Sequence, residues 1–346
     1  MKEPGLKDVA ARAGVSLSTA SAALNGLALV RETTRERVRQ AARELGYWKD
    51  ASAAVLATRR KRSRTRPGRL SLGYLVSPTA KHRRSEAFEA HAHALGYGVE
   101  WVDLRSFEKP SVAARALWHR NVAGLFYASP NAVPLEGGWE VGFDWSRFAV
   151  VKFSRARPEL RFDLIRHSAF DFTSRAIREV AARGYRRLAV ILGASGVPQD
   201  DEARLGAILG WKALRGKAEV RVEWRMLSGE LGPNRPIDRL TETWLERFEP
   251  DAVIAFPEGI SWQIRASGWE IPGRFAFAGI AMTVPGVAGC PANHRELAIK
   301  AVELLDRNIK LGLRGPVGIP QETVIEPEWV EGESLPIRET AGSEIE

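Results

Sequence analysis

The chain has 346 residues, with 51 Lys and Arg against 42 Asp and Glu, and a single cysteine, Cys290. This length predicts two or three units with separate apolar cores. One cysteine excludes an internal disulfide or a thiolate metal cluster and agrees with a reducing compartment. The sequence has no signal-peptide pattern and no apolar run near the roughly 18 residues of a membrane span. We therefore expect a cytoplasmic protein with no membrane partner.

The positive charge is concentrated at one end of the chain. Residues 1–69 carry 16 Lys and Arg against 6 Asp and Glu, whereas the rest of the chain is close to neutral. A basic block of this kind favours a polyanionic partner for that block alone. Nucleic acid is the leading candidate.

Residues 1–50 are predicted to form three short helices around one small apolar core. Apolar residues recur at helical spacing between residues 6 and 13, and Ser16 is placed to cap a second helix. The inner face of that helix would hold Ala20, Ala23 and Leu24. A third helix is predicted from the capping-box spacing of Thr33 and Glu36.

Residues 51–68 are predicted to form a hinge segment and a basic linker. The hinge segment, ASAAVLATRR, is rich in alanine. Seven of the residues 59–69 are Lys or Arg, so this stretch should repel itself and stay mobile without DNA or a counterion.

Residues 69–338 alternate short apolar runs with amphipathic segments, which is typical of parallel α/β sheets. Strands are predicted at LSLGYLV, VEWVDL, GLFYAS, FAVVKFS, RLAVILG, VRVEW, DAVIAF and FAFAGI. Helices are predicted between most of them. The pattern is long enough for two doubly wound lobes, and residues 339–346 are expected to be a disordered tail.

These motifs resemble the LacI family of bacterial transcription regulators. LKDVAARAGVSLSTASAALNG, VRETTRERVRQAARELGY and ASAAVLATRR match that family in order, and ARGYRRLAVI, PDAVIAF and HRELAIKAVELL are similar to its effector domain. The resemblance implies an all-α helix-turn-helix head and a two-lobed α/β domain of the periplasmic-binding-protein kind. It also implies a homodimer on a double-stranded operator and a small-molecule effector, for which a carbohydrate is one candidate.

The resemblance further implies that the second helix lies in the major groove of DNA. Its candidate DNA-binding residues are Ser16, Leu17, Ser18, Thr19, Ser21, Ala22 and Asn25. Leu17 and Ala22 can touch thymine methyl groups, Ser18 can reach base edges, and the other polar residues suit phosphate oxygens. Family members commonly carry an arginine at the position of Ala22, and a bidentate arginine contact discriminates by about 1 to 3 kcal/mol.

Leu56, Arg59 and Arg60 complete the candidate DNA-binding set. The resemblance implies that the hinge segment folds on DNA and inserts Leu56 into the minor groove, where unstacking a base step costs on the order of a few kcal/mol. Arg59 and Arg60 begin the basic tract, which would add phosphate contacts and steepen the salt dependence of binding. Asp50 and Ala54 depart from the family pattern here. The alternative is a plain linker with an incidental leucine.

The expected ligand cleft departs further from the family. Ala207 replaces a usual arginine, and Ser168 and Glu258 each replace a usual aspartate. The candidate effector-binding residues that remain are Ser77, Arg155, Phe170, Glu258 and Trp262. A typical hexose would leave polar groups unpaired at roughly 1 to 3 kcal/mol each, so another carbohydrate or a non-sugar ligand is expected. The alternative is that these residues only pack the lobes, or that the domain senses nothing.

No catalytic, cofactor-binding or metal-binding motif accompanies these features. His91 and His93 are two residues apart on a predicted helix, so they face different sides and cannot chelate one ion. Nucleophile elbows, P-loops and dinucleotide fingerprints are absent from the sequence. We therefore expect a ligand-controlled repressor that is not an enzyme. The alternatives are an architectural DNA-bending protein with weak base readout and a cytoplasmic sugar-binding protein.

Overall fold

The computed structural model describes residues 4–24, 30–47, 68–76, 83–128, 133–134, 138–153, 155, 157–215, 220–227 and 235–338. The chain divides into two compact units, Met1–Pro67 and Gly68–Glu346. The predicted hinge and linker, apart from Gly68, and the predicted tail lie outside the described residues. The finer domain boundaries drawn from the sequence therefore stay predictions.

The described part of the first unit contains three helices around a small apolar core. The helices are α1 (Leu6–Arg12), α2 (Leu17–Leu24) and α3 (Glu32–Glu44). The buried side chains are Val9, Ala10, Ala13, Ala20, Ala23, Val30, Val38, Ala41 and Ala42. The predicted inner face of α2 is confirmed, because Ala20 and Ala23 are buried and Leu24 packs against the same cluster.

The sequence predicted caps for α2 and α3, and only the first prediction is correct. The Ser16 hydroxyl accepts a hydrogen bond from the backbone N–H of Thr19 at 3.1 Å, as an N-cap does. Helix α3 begins at Glu32, with Arg31 at the N-cap position and no capping bond from its side chain. The predicted capping box at Thr33 is wrong, because a residue inside the first turn does not have the extended backbone of an N-cap.

Replacing Arg31 with serine should stabilise α3 by about 0.5 to 2 kcal/mol. Arg31 has φ −58° and ψ 144°, a non-helical geometry from which a serine hydroxyl can accept a hydrogen bond from the first turn. Hydrogen exchange at the α3 amides measures the change. Arg31→Ala is the control, since it removes the same side chain without adding an acceptor. Equal protection in the two variants would contradict the prediction.

The second unit contains two parallel sheets, and the first sheet forms lobe 1. Its strands are β1 (Ser71–Leu75), β2 (Gly98–Val102), β3 (Val122–Tyr127), β4 (Ala149–Phe153), β5 (Asp163–His167) and β11 (Glu322–Ile325). They lie in the order β11-β5-β4-β3-β1-β2. The helices of this lobe are α4 (Arg83–Ala94), α5 (Pro110–His119), the short α6 (Trp139–Gly142) and α11 (His294–Leu311). Two apolar clusters cover the two faces of the sheet.

The second sheet forms lobe 2. Its strands are β6 (Arg187–Gly193), β7 (Arg221–Leu227), β8 (Ala252–Phe256), β9 (Ala276–Ile280) and β10 (Ala288–Cys290), in the order β10-β9-β8-β6-β7. Its helices are α7 (Ala169–Ala182), α8 (Pro198–Arg215), α9 (Arg239–Phe248) and α10 (Gly259–Ala266). In both lobes the second strand in chain order lies outside the first, as in doubly wound sheets. The predicted fold class is confirmed.

All eight predicted strands are present, but the sequence missed β5, β10 and β11. Strand β5 ends in a polar Arg-His pair, and β10 is the three-residue segment Ala-Gly-Cys. Strand β11 has four residues and lies at the edge of its sheet, where three of its side chains are at least partly exposed. Short or half-polar strands lack the long apolar run from which buried parallel strands are predicted.

The described chain passes between the two lobes three times. Strand β5 of lobe 1 leads through Ser168 into α7, which packs in a lobe 2 core. Strand β10 leads through residues 291–293 into α11, which packs in a lobe 1 core. After β11, Val330 returns to lobe 2 and forms an antiparallel bridge with Gly289. We call these three connections the crossovers.

Candidate functional site

The exposed face of α2 carries short side chains. Leu17 is 45% exposed; Ser16 and Ser18 are exposed, and the remaining predicted contacts on this helix, Thr19, Ser21 and Ala22, are partly buried. The Ser16 hydroxyl lies 2.8 Å from the hydroxyls of both Ser18 and Thr19. The face therefore offers a cluster of hydroxyl groups beside one leucine. Asn25, Leu56, Arg59 and Arg60 lie outside the described residues.

A shallow concavity lies between α2 and the start of α3. Its lining residues are Ser18, Thr19, Ala22, Val30, Arg31 and Thr34. Arg31 is exposed, and it lines the same concavity as Ala22, which brings no polar group. A cationic residue thus lines a concavity that it shares with three of the residues predicted to contact DNA, Ser18, Thr19 and Ala22.

A second candidate site is a cavity of about 270 Å³ between the two lobes of the second unit. Lobe 1 and the second crossover line it with Phe153, Arg166, His167, Ala292 and His294. Lobe 2 lines it with Ala169, Phe172, Ser195, Val197, Asp200, Arg204, Phe256, Ile280 and Ala281. Strands β4, β5, β8 and β9 reach the cavity with their last residues. Parallel α/β sheets bind ligands at this end of their strands.

Aromatic and imidazole rings form one wall of this interlobe cavity. The His167 ring lies 5.8 Å from the Phe153 ring and 5.1 Å from the Phe172 ring, measured between centroids. The His294 ring lies 6.4 Å from His167. His167 comes from the first crossover and His294 from the second, so this wall depends on both connections. It offers a ligand flat apolar surface with two imidazoles beside it.

An ion-pair network holds Arg166 at the lobe 1 side of the cavity. Glu322 accepts hydrogen bonds from Arg155 at 3.0 and 2.9 Å and from Arg166 Nε at 2.9 Å. These hydrogen bonds lower the pKa of Glu322, and the bond from Arg155 has the largest effect. The carboxylate therefore stays ionised and fixes both guanidinium groups.

Arg204 is the cation on the lobe 2 side. Its side chain is 7% exposed and donates from Nη1 to Asp201 at 2.9 Å. Its guanidinium carbon lies 3.6 Å from the centre of the Phe256 ring. Asp201 also accepts a hydrogen bond from the backbone N–H of Ser195 at 3.1 Å. Burial lowers the pKa of Arg204, and the stacking and the ion pair hold the group in one orientation.

Asp200 brings the carboxyl group of the cavity wall. It stands four residues before Arg204 on α8, so both side chains face the same side of the helix. Burial raises the pKa of Asp200, while the nearby Arg204, Arg166 and Arg155 act in the opposite direction. This carboxyl forms no hydrogen bond or ion pair with any residue that the structure describes, so it is available to a ligand.

None of the predicted effector-binding residues that the structure describes is among the residues that line this cavity. Phe170 is 45% exposed on α7, Trp262 is 40% exposed on α10, and Glu258 precedes α10. Arg155 is engaged by Glu322, and Ser77 lies outside the described residues. The role of all five stays a prediction.

Arg204 could not be predicted from a single family position, because the position at which the family resemblance implies an arginine holds Ala207, which is buried on α8. Arg204 lies one helical turn earlier, and residues three apart share a helix face. The signal for Arg204 is therefore the face of the helix and not one position in it. Ser168, which replaces a usual aspartate, caps α7 by accepting a hydrogen bond from the N–H of Asp171 at 3.2 Å.

The described residues include neither a candidate metal site nor a helix that could span a membrane. No group of three or more His, Cys, Asp or Glu side chains there could hold a metal ion. None of the described helices combines the length and the apolar character of a membrane crossing.

Comparison with known proteins places these features in a class. Residues 5–50 match the family described as "Bacterial regulatory proteins, lacI family". The chain is 27% identical over 260 residues to the HTH-type transcriptional repressor PurR of Proteus mirabilis, covering 72% of this chain and 71% of PurR. It is 52% identical over 60 residues to the HTH-type transcriptional regulator GntR of Pseudomonas aeruginosa, covering 17% of this chain and 18% of GntR. Head and lobes together define a bacterial regulatory protein with a two-lobed α/β domain.

Solved structures share the fold. The lac repressor dimer bound to operator and the anti-inducer ONPF has a TM-score of 0.53 at 20% identity, covering 96% of this chain and 99% of that one. A LacI family regulator from Enterococcus faecium with bound ribose has a TM-score of 0.54 at 16% identity, covering 78% of this chain and 100% of that one. The chain is thus similar to LacI-family regulators in its head, over residues 5–50, and to the repressor PurR over most of its length.

Proposed function

We propose that this protein is a cytoplasmic DNA-binding transcriptional regulator, a repressor rather than an enzyme, controlled by a small molecule in the interlobe cavity. One observation carries the proposal. A head that matches the LacI family over residues 5–50 belongs to a chain whose second unit holds a cavity between two lobes. The names of the PurR and GntR relatives, a repressor and a regulator of transcription, support it.

In this proposal α2 enters the major groove and the cluster of hydroxyl groups anchors it. Ser16, Thr19 and Ser21 would donate to phosphate oxygens, together with Asn25, and fix the register of the helix. Leu17, Ser18 and Ala22 would meet the base edges. Leu56, Arg59 and Arg60 would add a minor-groove wedge and phosphate contacts. A homodimer would place two heads on the two half-sites of one operator.

The interlobe cavity would supply the control. Its lining comes from both lobes and from two crossovers, so a ligand that binds there contacts parts that move when the lobes shift. A ligand that prefers one lobe arrangement changes DNA affinity only by its difference in affinity for the two arrangements, typically about 1 to 3 kcal/mol. In a dimer, such a shift would alter the spacing of the two hinge segments.

Selection of bound duplexes from a random pool tests the DNA half of the proposal. We expect one recurrent, pseudo-palindromic site that binds about 10³-fold or more tighter than random duplex. The control is Leu17→Glu, which changes an exposed side chain and should remove that preference. The alternative is an architectural DNA-bending protein, which the short side chains on the exposed face of α2 also suit because they offer few contacts to base edges. A specific-to-random ratio close to one would favour that alternative over a regulator.

A further inference from the structure

Arg204 is a buried cation whose hydrogen-bonding capacity the protein uses only in part. The residue is 6% exposed. A guanidinium has five N–H donors, and here Nη1 donates to Asp201 while the buried Nε has no partner. Phe256 covers a face of the group and accepts none of the remaining donors in the guanidinium plane. Since an unpaired buried donor is unfavourable, the site favours a ligand that brings acceptor oxygens.

The charges that line the cavity favour an anionic acceptor. Among its lining residues, two guanidinium groups, those of Arg166 and Arg204, stand against the single carboxyl of Asp200. The carboxylates that pair with the two arginines, Glu322 and Asp201, are not part of the lining. They fix the two guanidinium groups, while the arginines themselves line the cavity. Arginine binds a carboxylate or a phosphate through two parallel N–H···O hydrogen bonds. A neutral hydroxyl group is a weaker acceptor for these donors.

Asp200 and the size of the cavity indicate two further properties of the ligand, its hydroxyl groups and its size. The Asp200 carboxyl has no hydrogen-bonding partner among the described residues, so it suits a hydroxyl group of the ligand. A cavity of about 270 Å³ lies just below the usual range for ligand pockets, roughly 300 to 1,000 Å³. A molecule of one ring fits this volume, and its flat face can pack on Phe153 and Phe172.

We infer that the effector is a compact hydroxylated acid of monosaccharide size, whose anionic group binds Arg204 and whose hydroxyl groups face Asp200. This inference rests on the proposed function, because it assigns a ligand class to the same cavity. It makes Arg204 the residue that separates acids from neutral sugars. Carboxylate and phosphate share this chemistry, and the experiment tells them apart.

The test compares matched ligands that differ only in charge. D-glucose and D-galactose are each titrated into the full chain beside the corresponding uronate and 6-phosphate, with isothermal titration calorimetry as the measurement. In at least one series, we expect an acid to bind 10-fold or more tighter than its neutral parent, about 1.4 kcal/mol. The uronate and phosphate arms show which anionic group the site accepts.

Substitutions then assign that preference to Arg204. Arg204→Gln should abolish the difference between acid and neutral sugar, and Arg204→Lys should retain part of it, since it keeps the charge without the two-pronged geometry. Arg178→Gln, on the exposed side of α7, is the matched control and should bind as the unmodified chain does. Thermal unfolding of each variant checks the fold. Asp200→Asn gives a second route, which leaves the Arg204 pair intact and should weaken binding of every hydroxylated probe.

Three results would overturn the inference. One is that no acid binds more tightly than its neutral parent. The others are that Arg204→Gln keeps the full preference, or that Arg178→Gln loses it equally. DNA binding is measured on the same ligand-free samples, so the two proposals fail separately. If the protein bound acids but preferred no duplex, the proposal of a regulator would be wrong. If it preferred one duplex but bound no acid, only the inferred ligand class would be wrong.

Discussion

Replacing Gly289 with alanine should destabilise the second unit by about 3 to 5 kcal/mol. Gly289 has φ +147°, a conformation that only glycine adopts readily. A Cβ there would lie 2.2 Å from the carbonyl oxygen and 2.6 Å from the nitrogen of Gly279 on the neighbouring strand β9. These are backbone atoms of a buried sheet and cannot move aside as the end of a side chain can. The backbone of Gly289 also exchanges two hydrogen bonds with Val330, at 3.0 and 2.9 Å.

Urea unfolding of the full chain measures this effect, and the chain contains a matched control. Gly206 lies in α8, and a Cβ there would meet no atom within 4 Å. Gly206→Ala should therefore be neutral or stabilise the protein by up to about 1 kcal/mol, since alanine is the better helix former. If both variants unfolded at the same urea concentration, steric contact at Gly289 would not be the reason for its glycine.

Replacing Leu56 with alanine should weaken operator binding by about 10- to 100-fold, in line with the roughly 1.5 to 3 kcal/mol of one buried leucine side chain. The bend of the operator should decrease in parallel, because an apolar wedge and a kink form together. This prediction comes from the sequence alone, as Leu56 lies outside the described residues.

Affinity and bending are both measured by fluorescence on a labelled operator duplex. Val55→Ala is the control, since it removes apolar surface from the adjacent position of the same segment and should preserve the bend. Wild-type affinity and bending in the Leu56 variant would remove the wedge from the proposal. Equal losses in the two variants would show that general apolar contact, and not one inserted side chain, is responsible.

Most of the fold could be predicted because its elements repeat simple patterns. Eight strands are visible as apolar runs, and Ala20 and Ala23 mark the inner face of α2 by helical spacing. The first residue of α3 could not be predicted. Thr33 and Glu36 have the spacing of a capping box, but the helix already begins at Glu32, with Arg31 at the N-cap position. Strand β10 is defined by its partner in the sheet and not by its own three residues, so a local pattern cannot reveal it.

The candidate sites divide in the same way. The face of α2 follows from helical phase and from motif resemblance, which are local properties. The interlobe cavity brings together Arg166, Arg204 and His294, which are far apart in sequence and meet only because the crossovers return the chain to the cleft. Contacts between residues so far apart produce no periodic pattern in the sequence from which they could be predicted. Arg204 could be predicted only by considering the helix face that it shares with Ala207, one turn away.

The crossovers also determine when each lobe can be finished during synthesis. Lobe 1 needs α11 and β11 from beyond residue 293, and lobe 2 needs the segment around Val330 and Leu335. Neither lobe is therefore a continuous piece of chain. A nascent chain that has passed β10 still exposes the apolar surface that α11 covers, and contacts so distant in sequence form slowly. The protein should depend on chaperones that shield unfinished sheets until translation is nearly complete.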